Sequence, residues 1–172
     1  MAQDEKTLFD FRGPNQAARW VRVNDVVMGG RSQSEMRFTP QGTALFEGVL
    51  SLENHGGFAS VRTTPNDDRL GGYAGLRVRV KGDGRRFKLR VRTDDRMDGP
   101  AYEFNFDTVA GEWIAIQAPF RDFVPTFRGR RLRNVPALEG ANVRQIGFLI
   151  ADKQAAPFRL EIDWINAYAE QS

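Results

Sequence analysis

The sequence has no cysteine and a single histidine, His55. Without thiols there is no disulfide framework, no thiolate nucleophile and no cysteine-based zinc site. With one imidazole, a Ser-His-Asp arrangement has only one base to draw on, and His55 lies between Asn54 and Gly56 in what reads as a solvated turn. No serine occupies a Gly-x-Ser-x-Gly elbow, and neither nucleotide-cradling glycine pattern occurs, so no catalytic role is expected. Long hydrophobic runs are missing as well. The longest apolar cluster, residues 146–151, is strand-sized, far short of the roughly 20 residues a membrane helix needs, so membrane insertion is not expected. Residues 1–6 have neither a basic start nor an apolar stretch, and a chain with no secretory signal and no cysteine reads as cytoplasmic. Lysine is scarce: of 25 basic residues only Lys6, Lys81, Lys88 and Lys153 are lysines, which leaves 21 arginines at a net charge of +3. Arginine offers a planar, permanently charged fork to carboxylates, phosphates and aromatic faces. A GC-rich coding bias would give the same total, so only the placement of the arginines informs.

What the chain does have is period-two alternation. Residues 76–81 read Leu-Arg-Val-Arg-Val-Lys and residues 87–92 read Phe-Lys-Leu-Arg-Val-Arg, with Gly82-Asp83-Gly84 between them as the turn of an expected hairpin. Further strands are expected at 7–11, 20–23, 34–38, 44–52, 57–63, 102–107, 112–117, 144–151 and 158–168. Residues 120–142 break the rhythm with Pro125, Gly129, Pro136 and Gly140 and a basic run, and read as a long connection. Many short strands with frequent turn signals indicate an all-β sandwich or jelly roll. The 172 residues fit one domain, 1–172, long enough to bury a core without staples.

The polar faces of the two arms leave two readings open. Arg77, Arg79, Lys81, Lys88, Arg90 and Arg92 share one face of the expected hairpin and would attract phosphates or acidic partners. Alternatively Glu103 and Asp107, on the polar side of the next strand, neutralise them across the sheet. Asp94, Asp95 and Asp98 offer hard oxygen ligands from a loop, but they lack the spacing of a calcium-binding loop, and a solvated acidic turn is the simpler reading. No metal or cofactor is expected. Trp20, Trp113 and Trp164 read as core or rim aromatics rather than sugar-stacking platforms.

Taken in order, the motifs resemble the complex I intermediate-associated protein 30 family, named for a mitochondrial assembly factor of NADH:ubiquinone oxidoreductase. The similarity begins at Trp20 and Asn24-Asp25-Val26-Val27-Met28-Gly29-Gly30-Arg31-Ser32, and continues at Phe46-Glu47-Gly48 and Gly56-Gly57-Phe58-Ala59-Ser60-Val61-Arg62. Gly111-Glu112-Trp113 and the stretch 119–130, from Pro119-Phe120-Arg121 to Phe127-Arg128-Gly129-Arg130, come next. It closes at Ile146-Gly147-Phe148-Leu149-Ile150-Ala151-Asp152-Lys153 and Phe158-Arg159-Leu160-Glu161-Ile162.

The resemblance implies a galactose-binding-like jelly-roll sandwich that acts without catalysis, as a chaperone-like assembly module with protein partners such as respiratory-complex subunits. Carbohydrate binding is the alternative, since jelly rolls of this type hold sugars at loop ends or on a concave face. Nucleic-acid binding through the basic strand face ranks behind both. The candidate contact residues fall in groups. Asp25, Gly29, Gly30 and Ser32 form one loop, and Gly57, Phe58, Ser60 and Arg62 form another. Arg92 lies on the basic arm. Phe127, Arg128 and Arg130 belong to the basic connection, and Asp152 with Lys153 follows a late strand.

Overall fold

The computed structural model describes residues 5–12, 20–22, 33–53, 57–63, 70–94, 100–127 and 130–170. The strands in the first half are β1 (Glu5–Phe9), β2 (Trp20–Arg22), β3 (Gln33–Phe38), β4 (Ala44–Val49), β5 (Ala59–Thr63) and β6 (Gly75–Lys81). They are followed by β7 (Arg86–Arg92), β8 (Ala101–Asp107), β9 (Trp113–Pro119), β10 (Val124–Phe127), β11 (Arg130–Arg131), β12 (Gln145–Ile150) and β13 (Pro157–Tyr168). Among the described residues there is no α-helix; short 3-10 turns lie at Phe120–Asp122 and Gly140–Asn142.

The strands form two antiparallel sheets. The first runs β3-β4-β13-β6-β9, with β1 also paired to β13. β1 takes residues 165–168 of β13 and β4 takes residues 157–162, so the two share one edge of that long strand. The second sheet runs β11-β10-β8-β7-β12-β5-β2. Alternation decides which side of each strand is buried. Phe46, Val78, Val80, Leu160, Ile162 and Ile165 point inward from the first sheet, and Val61, Phe87, Leu89, Val91, Phe148 and Ile150 from the second, into one shared core. Each such side chain contributes about 1.5–3 kcal/mol by leaving water. Along β13 the register shifts between Ile162 and Trp164, which lets Ile162 and Ile165, three positions apart, both face the core.

The expected hairpin over 76–92 does not form. β6 pairs with β13 and β9 in the first sheet, while β7 pairs with β12 and β8 in the second. The apolar sides of both arms are satisfied by facing each other across the core, an outcome the alternation permits as readily as a hairpin. Residues 82–85 are therefore a crossover between the sheets. Gly84 takes a φ of +93°, and Gly82 passes so close to Thr108 that a Cβ there would lie 2.4 Å from its Cβ.

The six basic side chains are consequently divided between opposite outer surfaces. Arg77 pairs with Glu5, Arg79 with Asp163, and Lys81 with Glu161, while Arg79 and Lys81 also cover the ring of Trp113 at 4.5 and 5.1 Å. On the other sheet Lys88 and Arg90 share Glu103. The expected neutralisation across the sheet thus holds through Glu103 for Lys88 and Arg90, whereas Asp107 pairs with Arg86, outside the six, and Arg77, Arg79 and Lys81 find their acids on β1 and β13 instead. The connection at 120–142 also carries more order than its prolines and glycines suggest. β10 adds to β8, β11 adds to β10, and the Tyr102 hydroxyl donates to the carbonyl of Pro136 at 2.6 Å.

Candidate functional site

The outer surface of the second sheet is built by the polar half of its alternation. Across β5, β12 and β7, Arg62 is registered with Gly147, and Gly147 with Arg90. Arg92 lies two residues along β7, opposite Gln145. Arg62 and Arg90 thus stand two strand spacings apart, about 9–10 Å between backbones, with a glycine between them, and all three guanidinium groups share one face. Gly147 is where the arginine packs down: a Cβ there would lie 2.4 Å from the Val61 carbonyl oxygen and 2.8 Å from the Arg62 Cβ.

The arginines are recessed rather than splayed into water. Arg62 retains 6% of its exposure and Arg92 8%, while Gln145 beside them retains 2%. Gln145 donates through Nε2 to the backbone carbonyl of Asp94 at 3.0 Å, which fixes the end of β7 against β12. The Thr63 hydroxyl accepts from the Ile146 N–H at 3.1 Å. Glu103 receives Lys88 Nζ at 3.1 Å, and Arg90 Nε lies 3.0 Å from its other oxygen, though off the direction a hydrogen bond requires.

The electrostatics follow from the crowding. Burial lowers the pKa of Arg62, and the charge of Arg90 lowers it further against an opposing pull from Asp94. Burial also lowers Arg90, with Glu103 opposing. Arg92 is shifted most: burial, then the charges of Arg90 and Arg62, bring it down to about 10 against Asp94 and Glu103. At neutral pH all three remain cationic, and they share two nearby carboxylates among the described residues, Glu103 and Asp94.

Of the residues expected to act, Arg62, Ser60 and Arg92 are brought together on this face. Gly57, with a φ of +129°, and the half-buried Phe58 lead into β5. Phe127 and Arg130 face each other across β10 and β11, at the far edge of the sheet with β8, β7 and β12 intervening before β5. Asp152 lies beyond the opposite end of β12 from Gln145 and forms a buried pair with Arg85, and Lys153 follows it with a φ of +63° and an exposed side chain. Asp25, Gly29, Gly30, Ser32 and Arg128 lie outside the described residues, as do His55, Asp95 and Asp98. Among the described residues no group of three or more histidine, aspartate or glutamate side chains could hold a metal ion. Arg90, already read on the basic arm, completes the face together with Gln145 and Gly147 of β12, which were not singled out as site residues. The signal for them was the polar or side-chain-free outer positions of β12, set within an otherwise apolar run.

This architecture is the galactose-binding-like jelly-roll sandwich. The family 11 carbohydrate-binding module of a Clostridium thermocellum cellulosomal cellulase superposes with a TM-score of 0.73 at 17% identity, covering 100% of this chain and 98% of that one. A family 29 carbohydrate-binding module follows at a TM-score of 0.54 and 14% identity, covering 95% and 90%. Within that fold, the profile of the Complex I intermediate-associated protein 30 (CIA30) family matches residues 9–162, and the chain belongs to that family. It is 28% identical over 183 residues to the mitochondrial complex I intermediate-associated protein 30 of Drosophila melanogaster, covering 92% of this chain. The mouse protein of the same name is 28% identical over 197 residues, covering 98%. The chain spans 61% of the fly relative's length and 57% of the mouse relative's. These relatives are named as mitochondrial, which overturns the cytoplasmic expectation. Lack of cysteine, on which that expectation leaned, does not identify a compartment.

Proposed function

We propose that this chain is a non-catalytic protein-binding module that serves as an assembly factor, resembling those of NADH:ubiquinone oxidoreductase. Membership of the CIA30 family over residues 9–162 carries this reading, because the curated relatives are named for intermediates of that complex. The surface agrees with it. Among the described residues no aromatic side chain is exposed, and the exposed large apolar residues are Val21, Val49, Leu52, Val109 and Val135. A recessed arginine face suits charge-assisted, oriented contact with a folded partner. Deleting the gene in its own organism and separating the respiratory complexes on a native gel tests this. Loss of the full-size complex with accumulation of a smaller intermediate, restored by the wild-type gene, is expected. An unchanged complex in the deletion strain contradicts the reading.

Carbohydrate binding is the second reading, supported by the likeness to carbohydrate-binding modules, one of them solved with a β-1,3-1,4-mixed-linked tetrasaccharide. Against it stands the covering of Trp113 by Arg79 and Lys81, which removes an aromatic platform from the opposite sheet. Titration with that tetrasaccharide decides: measurable binding promotes the sugar reading, and none retires it.

A further inference from the structure

The two sheets end in strands whose outer edge has no neighbour among the described residues: β3 and β9 in the first, β11 and β2 in the second. Such an edge pairs readily with another chain unless it is kept short or charged. Three of the four are guarded in this way. β2 spans only Trp20–Arg22, β11 is Arg130–Arg131, and β3 carries Glu35 and Arg37. β9 differs: Trp113-Ile114-Ala115-Ile116-Gln117-Ala118-Pro119 is seven residues long and uncharged. The chain leading into and out of it is described throughout residues 100–127.

The edge is also in register to accept a strand. Pro119 lies opposite Gly75, and one step further the Phe120 N–H donates to the Ala74 carbonyl at 2.8 Å. An antiparallel ladder bonds to a given neighbour at alternate residues. Ala118, Ile116 and Ile114 therefore turn their N–H and C=O groups to β6, while Gln117, Ala115 and Trp113 turn theirs to the open edge. Pro119, which has no N–H, falls in the outward-facing set, so the ladder with β6 loses no donor. On the inner side Ile114 and Ile116 pack on the core yet stay only half-buried, whereas Val80 and Val78, their partners on β6, are fully buried. The isoleucines differ from the valines in having a strand on one side only.

We propose that β9 pairs with β9 of a second copy of this chain, antiparallel about a two-fold axis at Ala115, so that the first sheets of two copies become one. The strand is complementary to itself. Ile114-Ala115-Ile116 reads the same in both directions, so Ile114 of each copy lies beside Ile116 of the other, and Ala115 lies beside Ala115. Trp113 falls opposite Gln117, and every outward N–H and C=O of these positions meets a partner. With no charge on the strand, the two-fold sets no like charges face to face. It also closes after two copies, whereas β9 against the β3 edge of another copy would leave further edges open and cover Glu35 and Arg37. This pairing lies beyond the assembly reading and does not depend on it.

Pairing along one strand covers less than a standard interface, so it is read from its concentration dependence. Sedimentation equilibrium of the intact chain is expected to show a reversible monomer–dimer exchange. Ala115→Lys and Ala115→Glu, each placing like charges opposite one another at an exposed position, should each weaken it by about tenfold or more. An equal mixture of the two variants should restore it, and Leu52→Lys, at an exposed apolar residue outside β9, should leave it unchanged. Hydrogen exchange of the wild type gives a reading that needs no variant. The amides of Trp113, Ala115 and Gln117 should slow as concentration rises, while those of Ile114 and Ile116 stay slow throughout. A chain that remains monomeric up to about 1 mM overturns the proposal. So does a dimer in which the three outward amides exchange at the monomer's rate, a mixture of the Lys and Glu variants that associates no better than either alone, or growth beyond two copies, which indicates head-to-tail pairing with β3.

Discussion

Arg85 and Asp152 meet as a buried bidentate pair, with Nε donating to Oδ2 at 2.8 Å and a terminal nitrogen to Oδ1 at 2.5 Å. The other guanidinium contacts of Arg85 are donations to the carbonyls of Gln154, Ala156 and Pro157. One side chain in the crossover between the sheets therefore fixes the whole turn that joins β12 to β13. Because both partners are buried, removing one strands the other. Arg85→Ala is expected to lower stability by about 3–5 kcal/mol, read from urea denaturation of both proteins.

The same pair sets an acid response. Burial alone would raise the Asp152 pKa, but hydrogen bonding and charge from Arg85, with the Gln154 N–H, outweigh it and hold the carboxyl below its ordinary value. A depressed carboxylate stabilises the fold above its unfolded pKa of about 3.9. That contribution is lost as pH falls through the lower folded value. Urea midpoints measured from about pH 5 downward should therefore fall below about pH 4 in the wild type, and fall less steeply in Arg85→Ala.

Phe148 is fully buried at the centre of the second sheet, with ring centroids 6.3 Å from Trp20 and 6.4 Å from Phe106. Phe148→Ala should cost about 3–5 kcal/mol and perturb the near-ultraviolet circular dichroism contributed by the neighbouring indole.

Gly147→Ala tests the close approach beneath Arg62. The added methyl would meet the Val61 carbonyl oxygen and the Arg62 Cβ inside contact distance. A loss of about 1–3 kcal/mol is expected from this overpacking, read from urea denaturation.

Arg130 is exposed on the short edge strand β11. Arg130→Ala should move the unfolding free energy by no more than about 0.5 kcal/mol, so any effect it has on partner capture reads as surface recognition.

The sequence made the strands and the core legible, because alternation alone sends Phe87, Leu89, Val91 and Ile162 inward. It did not show which strands are neighbours. A Gly-Asp-Gly link between alternating arms fits a hairpin and an inter-sheet crossover equally well, and only long-range pairing with β13 and β12 separates them. β10 was hidden because Pro125 suppresses strand propensity; it is tolerated next to the edge, where β11 is registered only with Thr126 and Phe127. Arg62 and Arg92, 30 positions apart in sequence, were both legible as polar strand positions. Their meeting through Gly147 was not, since register is a tertiary property.

The most direct measurement places a photo-crosslinking residue at Val21 or Asn105, on the flanks of the arginine face, or at Ala115 on the opposite sheet. Irradiation in cells is followed by identification of the adducts. Crosslinks to a respiratory-complex subunit from 21 or 105, lost with Arg62→Gln/Arg92→Gln and absent from 115, are predicted. Crosslinks arising from 115 alone, or no adduct with any such subunit from either flank, would contradict the account.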